Sequence, residues 1–202
     1  MITPLFQGLF LGASMIIPIG AQNSHVLSHG IKQNSHILAA TICMVCDVLL
    51  IALGVFGAAK ALASFPTLIT VIKWGGVLFL LTYASFAFKN AYLNKYADMS
   101  LSLTSKSKIA VIITTLAVTL LNPHVYLDTV VILGSVGGQF DGAEKIAFAT
   151  GTMLASIIWF YSLATGAAKL SPWLSKPKVQ RAIDVIIGLI MTAIGVSLAL
   201  SV

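Results

Sequence analysis

Long apolar runs alternate with short polar connectors along the whole chain. Six of these runs stand out, at approximately 4–28, 37–59, 68–88, 109–133, 146–168 and 182–201. An α-helix needs about 20 largely apolar residues to cross the hydrocarbon layer of a bilayer, and each run is close to that length. The pattern therefore predicts an all-α membrane protein with six transmembrane helices, in a single transmembrane domain over 1–202.

Composition supports lipid as part of the solvent. Of 202 residues, 58% are hydrophobic and only 9% are charged, with a mean hydropathy of +0.98, whereas a soluble domain carries roughly 25% charged residues. The net charge is +6, and the basic residues are scattered at the ends of the apolar runs. They form no stripe with interleaved aromatic residues, so nucleic acid is not an expected partner. No cofactor and no resident metal is expected either.

Positive charge favours alternate connectors. The first, third and fifth connectors carry nine Lys and Arg residues, the second and fourth carry three, and both tails carry none. By the positive-inside rule, the long connector 89–108 is predicted to be cytoplasmic and both termini to lie outside. The segment before the first run lacks the basic residues of a signal peptide, so we expect that run to be retained.

The connector 89–108 divides the chain into two halves of three runs each. An odd number of crossings inverts the second half relative to the first, which predicts an inverted repeat with repeat 1 at about 4–88 and repeat 2 at about 109–201. Pro18 in the first run aligns with Pro123 in the fourth, and this alignment places Asn23 opposite Asp128. Helices 1 and 4 are thus predicted to be the broken helices of the two repeats.

Two acidic residues, Asp47 and Asp128, fall well inside apolar runs, whereas Asp184 lies at the start of the last run near Arg181. An ionised carboxylate at the centre of a membrane helix costs roughly 2.5–3.5 kcal/mol on insertion scales, so such residues usually face the protein interior and have a function. One interpretation is a transport role, in which the carboxyl group exchanges a proton for a cation, as in an antiporter. The alternative is a structural hydrogen bond from Asp47 to a Ser or Asn residue on a neighbouring helix.

Prolines near these acids predict interrupted helices. Pro123 removes an amide donor and makes the carbonyl groups of Val118 and Thr119 candidates for release. Beyond it, His124 and Asp128 are spaced i, i+4 and share a face if the helix resumes. His124 has an alternative reading as an ordinary histidine near the membrane interface.

The first run has a corresponding break at Pro18 and Gly20. The backbone groups released there, with Gln22, Asn23 and Ser24, could hold the amino and carboxylate groups of a zwitterion. A plain helix kink without ligand contact is the alternative.

Cysteines and glycines complete the set of candidates. Cys43 and Cys46 resemble a thiol redox or soft-metal pair, but the chain has no second cysteine pair to pass electrons on, and buried cysteines usually act as small apolar residues. The spacing Gly8-x-x-x-Gly12, with Gly54, permits close helix approach, either within the chain or in a homodimer.

These motifs resemble those of the lysine exporter (LysE) family of bacterial amino-acid exporters. The string Pro18-Ile-Gly-Ala-Gln-Asn23 is similar to the family's first-span signature. The string Asn122-Pro-His-Val-Tyr-Leu-Asp128, followed by Leu133-Gly-Ser-Val-Gly-Gly138, is similar to the fourth-span signature of its lysine/arginine branch. Lys73-Trp-Gly-Gly76 agrees more weakly, and the likeness runs from about Phe6 to Leu200.

The resemblance implies export of L-lysine and L-arginine across the bacterial inner membrane, driven by the membrane potential and the proton gradient, by a protein that is not an enzyme. It also implies that Asp47 and Asp128 match the family's functionally important intramembrane acids. An exporter of another amino acid or of a divalent metal, and a thiol-redox protein using Cys43 and Cys46, are the alternatives. The predicted site for substrate and protons comprises Asp47, Asp128, Asn23, Gln22, Asn122, His124 and Tyr126, with helix breaks at Pro18, Gly20 and Pro123.

Overall fold

The computed structural model describes residues 2–58, 66–93 and 107–200, and all regular structure within them is helical. The helices are α1 (Ile2–Ile16), α2 (Ala21–Ile31), α3 (His36–Leu53), α4 (Pro66–Leu93), α5 (Lys108–Leu120), α6 (Pro123–Tyr126), α7 (Leu133–Gly137), α8 (Gly142–Lys169), α9 (Ser171–Leu174) and α10 (Pro177–Leu200). Two π-helical segments, Gly54–Ala58 and Leu127–Ile132, extend α3 and join α6 to α7. The predicted all-α class is confirmed for these ranges.

Between three and five spans are supported by helix length and apolar character. Three continuous helices qualify, His36–Gly57, α8 and Pro177–Val196. Two bent pairs qualify jointly, α1 with α2 at 77° and α5 with His124–Gly137 at 62°. The six-helix inverted repeat therefore stays a prediction. Helix α4, the counterpart of the third predicted span, has 28 residues, which corresponds to about 42 Å.

Both predicted helix breaks are present. Pro18 lies in the connection between α1 and α2, and Pro123 is the first residue of α6. The long connector is predicted to start at about residue 89, and α4 continues four residues further, to Leu93. Apolar and aromatic residues carry this helix past Lys89, and 94–106 of the predicted connector lie outside the described residues.

Helices α1 and α2 pack against opposite ends of α8. Gly8 of α1 meets the backbone of Phe148, and Gly151 of α8 meets the backbone of Leu5, so a Cβ atom at either glycine would collide with main chain. Gly30 of α2 meets Ala167. The 19 residue steps from Phe148 to Ala167 correspond to about 28 Å along α8. The bent pair thus follows α8 for most of a bilayer thickness, and the close approach of Gly8 serves packing within the chain.

The second bent pair runs between the same two ends. Val111 of α5 packs with Val26 and Phe160 near the Lys169 end of α8. Leu133 of α7 packs with Val55 and Phe148 near the Gly142 end. The second pair therefore begins near the end of α2 and ends near the part of α8 that contacts α1. Its direction is opposite to that of the first pair.

Helix α4 lies antiparallel along α10. Phe88 packs against Gly188, and Leu81 packs against Gly195. The cluster between them, which includes Leu80, also contains Ala21 of α2 and Val118 of α5. This contact attaches the two-helix layer to the region of both breaks.

Many large apolar side chains face outward on this bundle, among them Phe10, Leu49, Leu78, Ile158 and Leu189. This much exposed apolar surface would be unusual on a soluble monomer. Hydrocarbon is the solvent that suits such a surface.

Candidate functional site

The two helix breaks face one cavity of about 180 Å³. Asp47 and Asp128 both line it. Leu80 of α4 and Ile194 of α10 also contribute to the lining. Eight of the ten predicted site residues line it, namely Pro18, Gly20, Gln22, Asn23, Asp47, Asn122, His124 and Asp128. The sequence separation between these residues reaches 110 positions, so only the tertiary fold brings them together.

At the first break, the side chain of Asn23 forms hydrogen bonds with the carbonyl groups that the break releases. Its Nδ2 donates to the carbonyl oxygens of Ile16 at 2.8 Å and Pro18 at 2.7 Å, with a longer contact of 3.4 Å to Ile17. Its Oδ1 accepts a hydrogen bond from Trp159 Nε1 at 3.1 Å. Both polar atoms of the Asn23 amide therefore already have protein partners. Direct substrate contact by Asn23 stays a prediction, and its observed geometry is that of a clamp on the break.

The start of α2 opens toward the same cavity. Gly20 precedes the helix with extended backbone, no side chain caps it, and the first backbone bond within the helix is from Ser24 N to Gly20 O. The amide groups of Ala21, Gln22 and Asn23 therefore have no acceptor within their own helix. Amides without a helical acceptor and the helix dipole together favour an anionic group, such as an α-carboxylate, at this point.

Asp47 is 2% exposed and is held between two other helices. Its Oδ1 accepts a hydrogen bond from Gln22 Nε2 at 3.2 Å, and its Oδ2 accepts one from Ser156 Oγ at 3.0 Å. The bond to Ser156 is the kind of contact that the structural interpretation anticipates. A carboxylate has about four acceptor sites, however, so two hydrogen bonds leave it capacity for a cation or a proton.

Asp128 lines the same cavity from the π-helical segment after α6. Its Oδ2 is 3.1 Å from His124 Nδ1, and the two side chains are 19% and 47% exposed. The expected common face of His124 and Asp128 is therefore observed. Asp128 is near enough to Asp47 to interact with it electrostatically, so a cation or a proton in the cavity would relieve the repulsion between the two carboxylates.

The second break is stabilised differently from the first. Asn122 Oδ1 accepts a hydrogen bond from the backbone N–H of His124 at 3.1 Å, and the Tyr126 hydroxyl donates to the carbonyl oxygen of Leu120 at 2.9 Å. Of the two carbonyl groups expected to be released, that of Thr119 accepts a 3.4 Å bond from Asn122 N. Tyr126 does not line the cavity. Its observed contact supports the turn.

Sequence reasoning missed Ser156 and Trp159, which hold Asp47 and Asn23. Both lie in an apolar run more than 100 residues from their partners, and small or aromatic residues in such a run carry no local signal. Only the predicted pairing of α3 with α8 in the two repeats could have indicated that these two residues belong to the site.

The two cysteines lie beside this site. Cys43 and Cys46 are unbridged and buried, and Cys43 Sγ is 3.7 Å from Thr119 Oγ1. Within 2–58, 66–93 and 107–200, no three His, Cys, Asp or Glu side chains are grouped so as to hold a metal ion.

Comparison with known proteins gives a consistent result. The model of the LysE type translocator family matches residues 13–202. A protein of Aeromonas salmonicida, provisionally named the amino-acid transporter YggA, is 52% identical over 98% of this chain and 97% of its own length. The arginine exporter protein ArgO of Klebsiella pneumoniae strain 342 is 46% identical over 98% of this chain and 94% of its own. The ArgO protein of Escherichia coli K12 is also 46% identical, over 96% and 92%. No solved structure matches the chain.

Proposed function

Because this chain belongs to the LysE type translocator family, we propose that it exports basic amino acids, L-arginine and L-lysine, across the bacterial inner membrane. Near-full-length relatives that carry the name arginine exporter support arginine as a substrate. The observation that carries the proposal is the cavity in which two carboxylates, Asp47 and Asp128, meet two helix breaks.

The cavity offers complementary groups for each end of a basic amino acid. Asp47 and Asp128 attract the cationic side chain, and a guanidinium group can bind carboxylates through paired, charge-assisted hydrogen bonds. The open start of α2 at Gly20 suits the α-carboxylate. Gln22 orients the Asp47 carboxylate, while Asn23 and Asn122 keep the two breaks in shape.

Proton coupling follows from competition for the same carboxylates. A proton that arrives from outside neutralises an acid, weakens its attraction for the cationic cargo and releases it. His124 contacts Asp128 at 3.1 Å and is 47% exposed, so it is placed to pass a proton between water and that acid. The membrane potential adds its own driving force, about 2.3 kcal/mol per charge for each 100 mV.

We further propose six crossings in two inverted repeats, with the Lys169 end of α8 in the cytoplasm. The bent pairs then count as one crossing each, α4 counts as another, and consecutive crossings alternate in direction. The antiparallel packing of α4 on α10 and the passage of α1 and α2 along α8 support this order. At the Lys169 end lie the basic residues Lys32, Lys108, Lys169, Lys176 and Lys178, as the positive-inside rule expects.

Transport by carboxylate variants tests the proposal. We expect Asp47→Asn and Asp128→Asn each to abolish canavanine resistance in an exporter-null strain and to lower counterflow of labelled arginine in proteoliposomes at least tenfold. Asp141→Asn is the matched control, because Asp141 is exposed and makes no capping hydrogen bond.

Full activity of either intramembrane variant would contradict an acid-based mechanism. Protection against threonine or cadmium but not against arginine or canavanine, in the same strain, would favour another cargo.

A further inference from the structure

A stripe of buried polar side chains runs along one face of α2, away from the cavity. Gln22, His25 and His29 are spaced i, i+3, i+7, which places them on one side of the helix. All three are buried. The stripe covers about 10 Å along the helix axis. Its first residue lines the cavity, and its last residue lies two positions before the end of α2.

Each histidine in this stripe has a defined hydrogen-bond partner. His25 Nε2 is 3.0 Å from Thr115 Oγ1, and His29 Nδ1 is 2.7 Å from the carbonyl oxygen of Asn34 in the connector after α2. The two imidazole ring centroids are 4.6 Å apart. The stripe therefore joins the cavity side of α2 to the connector at its far end.

The partners fix how each neutral ring carries its proton. The hydroxyl of Thr115 donates to the carbonyl oxygen of Val111 at 2.7 Å, so it accepts from His25 Nε2, and the lone pair of His25 lies on Nδ1. A carbonyl oxygen can only accept, so His29 Nδ1 donates to Asn34 and the lone pair of His29 lies on Nε2. His25 can thus take up and release a proton at Nδ1 while Nε2 stays bonded to Thr115, and His29 can take one up at Nε2 and release one from Nδ1.

Polar contacts also connect the stripe to Asp47. Gln22 donates to Asp47 and also contacts Cys43. Cys43 in turn contacts Thr119, which follows Thr115 by one turn of α5, and both threonines are completely buried.

The helices packed against α2 also carry other titratable or charged groups. Besides Lys32 at its own end, they are His36, Cys43, Cys46 and Asp47 on α3, Lys108 on α5, Glu144, Lys145, Tyr161 and Lys169 on α8, and Lys178, Arg181 and Asp184 on α10. Among these, Asp47 is the acid that a hydrogen bond joins to Gln22 of the stripe.

We propose that His25 and His29 carry the coupling proton between the Asp47 side of the cavity and the cytoplasmic end of α2. This inference rests on the proposed export function. In each cycle the Asp47 carboxyl group loses one proton, His25 takes it up at Nδ1 and passes it to Nε2 of His29, and His29 releases one from Nδ1 to water at the Asn34 connector. Neither histidine lines the cavity, so their role is confined to the proton.

The test separates proton movement from substrate exchange. Wild-type protein in proteoliposomes is assayed for arginine counterflow without a pH gradient, and for arginine flux driven by a pH gradient with an internal pH dye. For the double variant His25→Gln/His29→Gln, we expect counterflow within about twofold of wild type and at least a tenfold loss of gradient-driven flux. His36→Gln, the same substitution at the same end of the bundle, is the control and should keep both activities.

Retention of gradient-driven flux by the double variant would overturn the relay. Equal loss of both activities in the double variant and in each single variant would also overturn it, because it would assign the histidines to folding or to cargo binding. If wild-type protein shows no arginine counterflow, the proposed function fails instead, and the two failures are therefore distinguishable.

Discussion

Asn23 holds the first helix break together, and replacing it should destabilise the whole protein. In Asn23→Leu the shape is roughly kept, but the short hydrogen bonds to the carbonyl oxygens of Ile16 and Pro18 and the bond from Trp159 are lost. Each buried group left without a partner costs about 1–3 kcal/mol, and the lower end of this range suits groups that are only partly buried, as these are. Three such groups sum to about 3–9 kcal/mol, a large part of the about 5–15 kcal/mol that stabilises a typical protein.

The lower bound applies if cavity water satisfies part of the break. On the scale of about 2–4 °C per kcal/mol for a chain of this size, the thermal midpoint should fall by at least about 6 °C. The measurement is thermal unfolding of detergent-solubilised protein by size-exclusion fluorescence. Asn34→Leu is the control, because its side chain makes only a 3.5 Å contact with Ser35. Equal midpoints for the two variants would refute the clamp.

Three further predictions follow from local contacts. Gly151→Val should abolish monodisperse folded protein in size-exclusion chromatography, because its Cβ would collide with the Leu5 backbone. Gly166→Val is the control and should fold, because no neighbouring segment comes within 4 Å of its Cβ position. Equal yields of the two variants would contradict the α1–α8 packing. Tyr126→Phe should lower the thermal midpoint by about 2–4 °C, the effect of one hydrogen bond, and keep arginine counterflow. Cys43→Ala/Cys46→Ala should retain counterflow within about threefold, and a complete loss with folded protein would revive the thiol-redox alternative.

Local sequence signals predicted the helices and breaks better than their contacts. Apolar runs near 20 residues predicted α3 and α8, because membrane helices satisfy their backbone within one segment. Pro18 and Pro123 predicted both breaks, since the missing amide acts locally. The bend of 77° and the packing of α1 along α8 depend on side chains far apart in sequence.

The candidate site shows the same division. The expense of a carboxylate in lipid identified Asp47 and Asp128 from the sequence, and the cavity contains both. The clamp function of Asn23 was not predictable, because an asparagine near a proline is equally able to bind a ligand. Its partner Trp159, 136 positions later, gave no signal in an apolar run.

When Pro18 is aligned with Pro123, Asn23 is paired with Asp128, and these two residues differ in a way that suits their two breaks. Five residues after its proline, Asn23 can donate to the carbonyl oxygens of the break, and a carboxylate there could not. At the second break Asn122 and Tyr126 supply the supporting hydrogen bonds, so position 128 is free of that task and can hold a negative charge toward the cavity.

We therefore expect Asn23→Asp to lower the thermal midpoint more than Asn23→Leu does, because it sets a carboxylate against carbonyl oxygens. Asp128→Asn should leave the midpoint within about 2 °C of wild type, less than the shift from about 1 kcal/mol, while abolishing arginine counterflow. A midpoint that falls as far in Asp128→Asn as in Asn23→Asp would show that both positions hold their breaks, and the division between clamp and charge would be wrong.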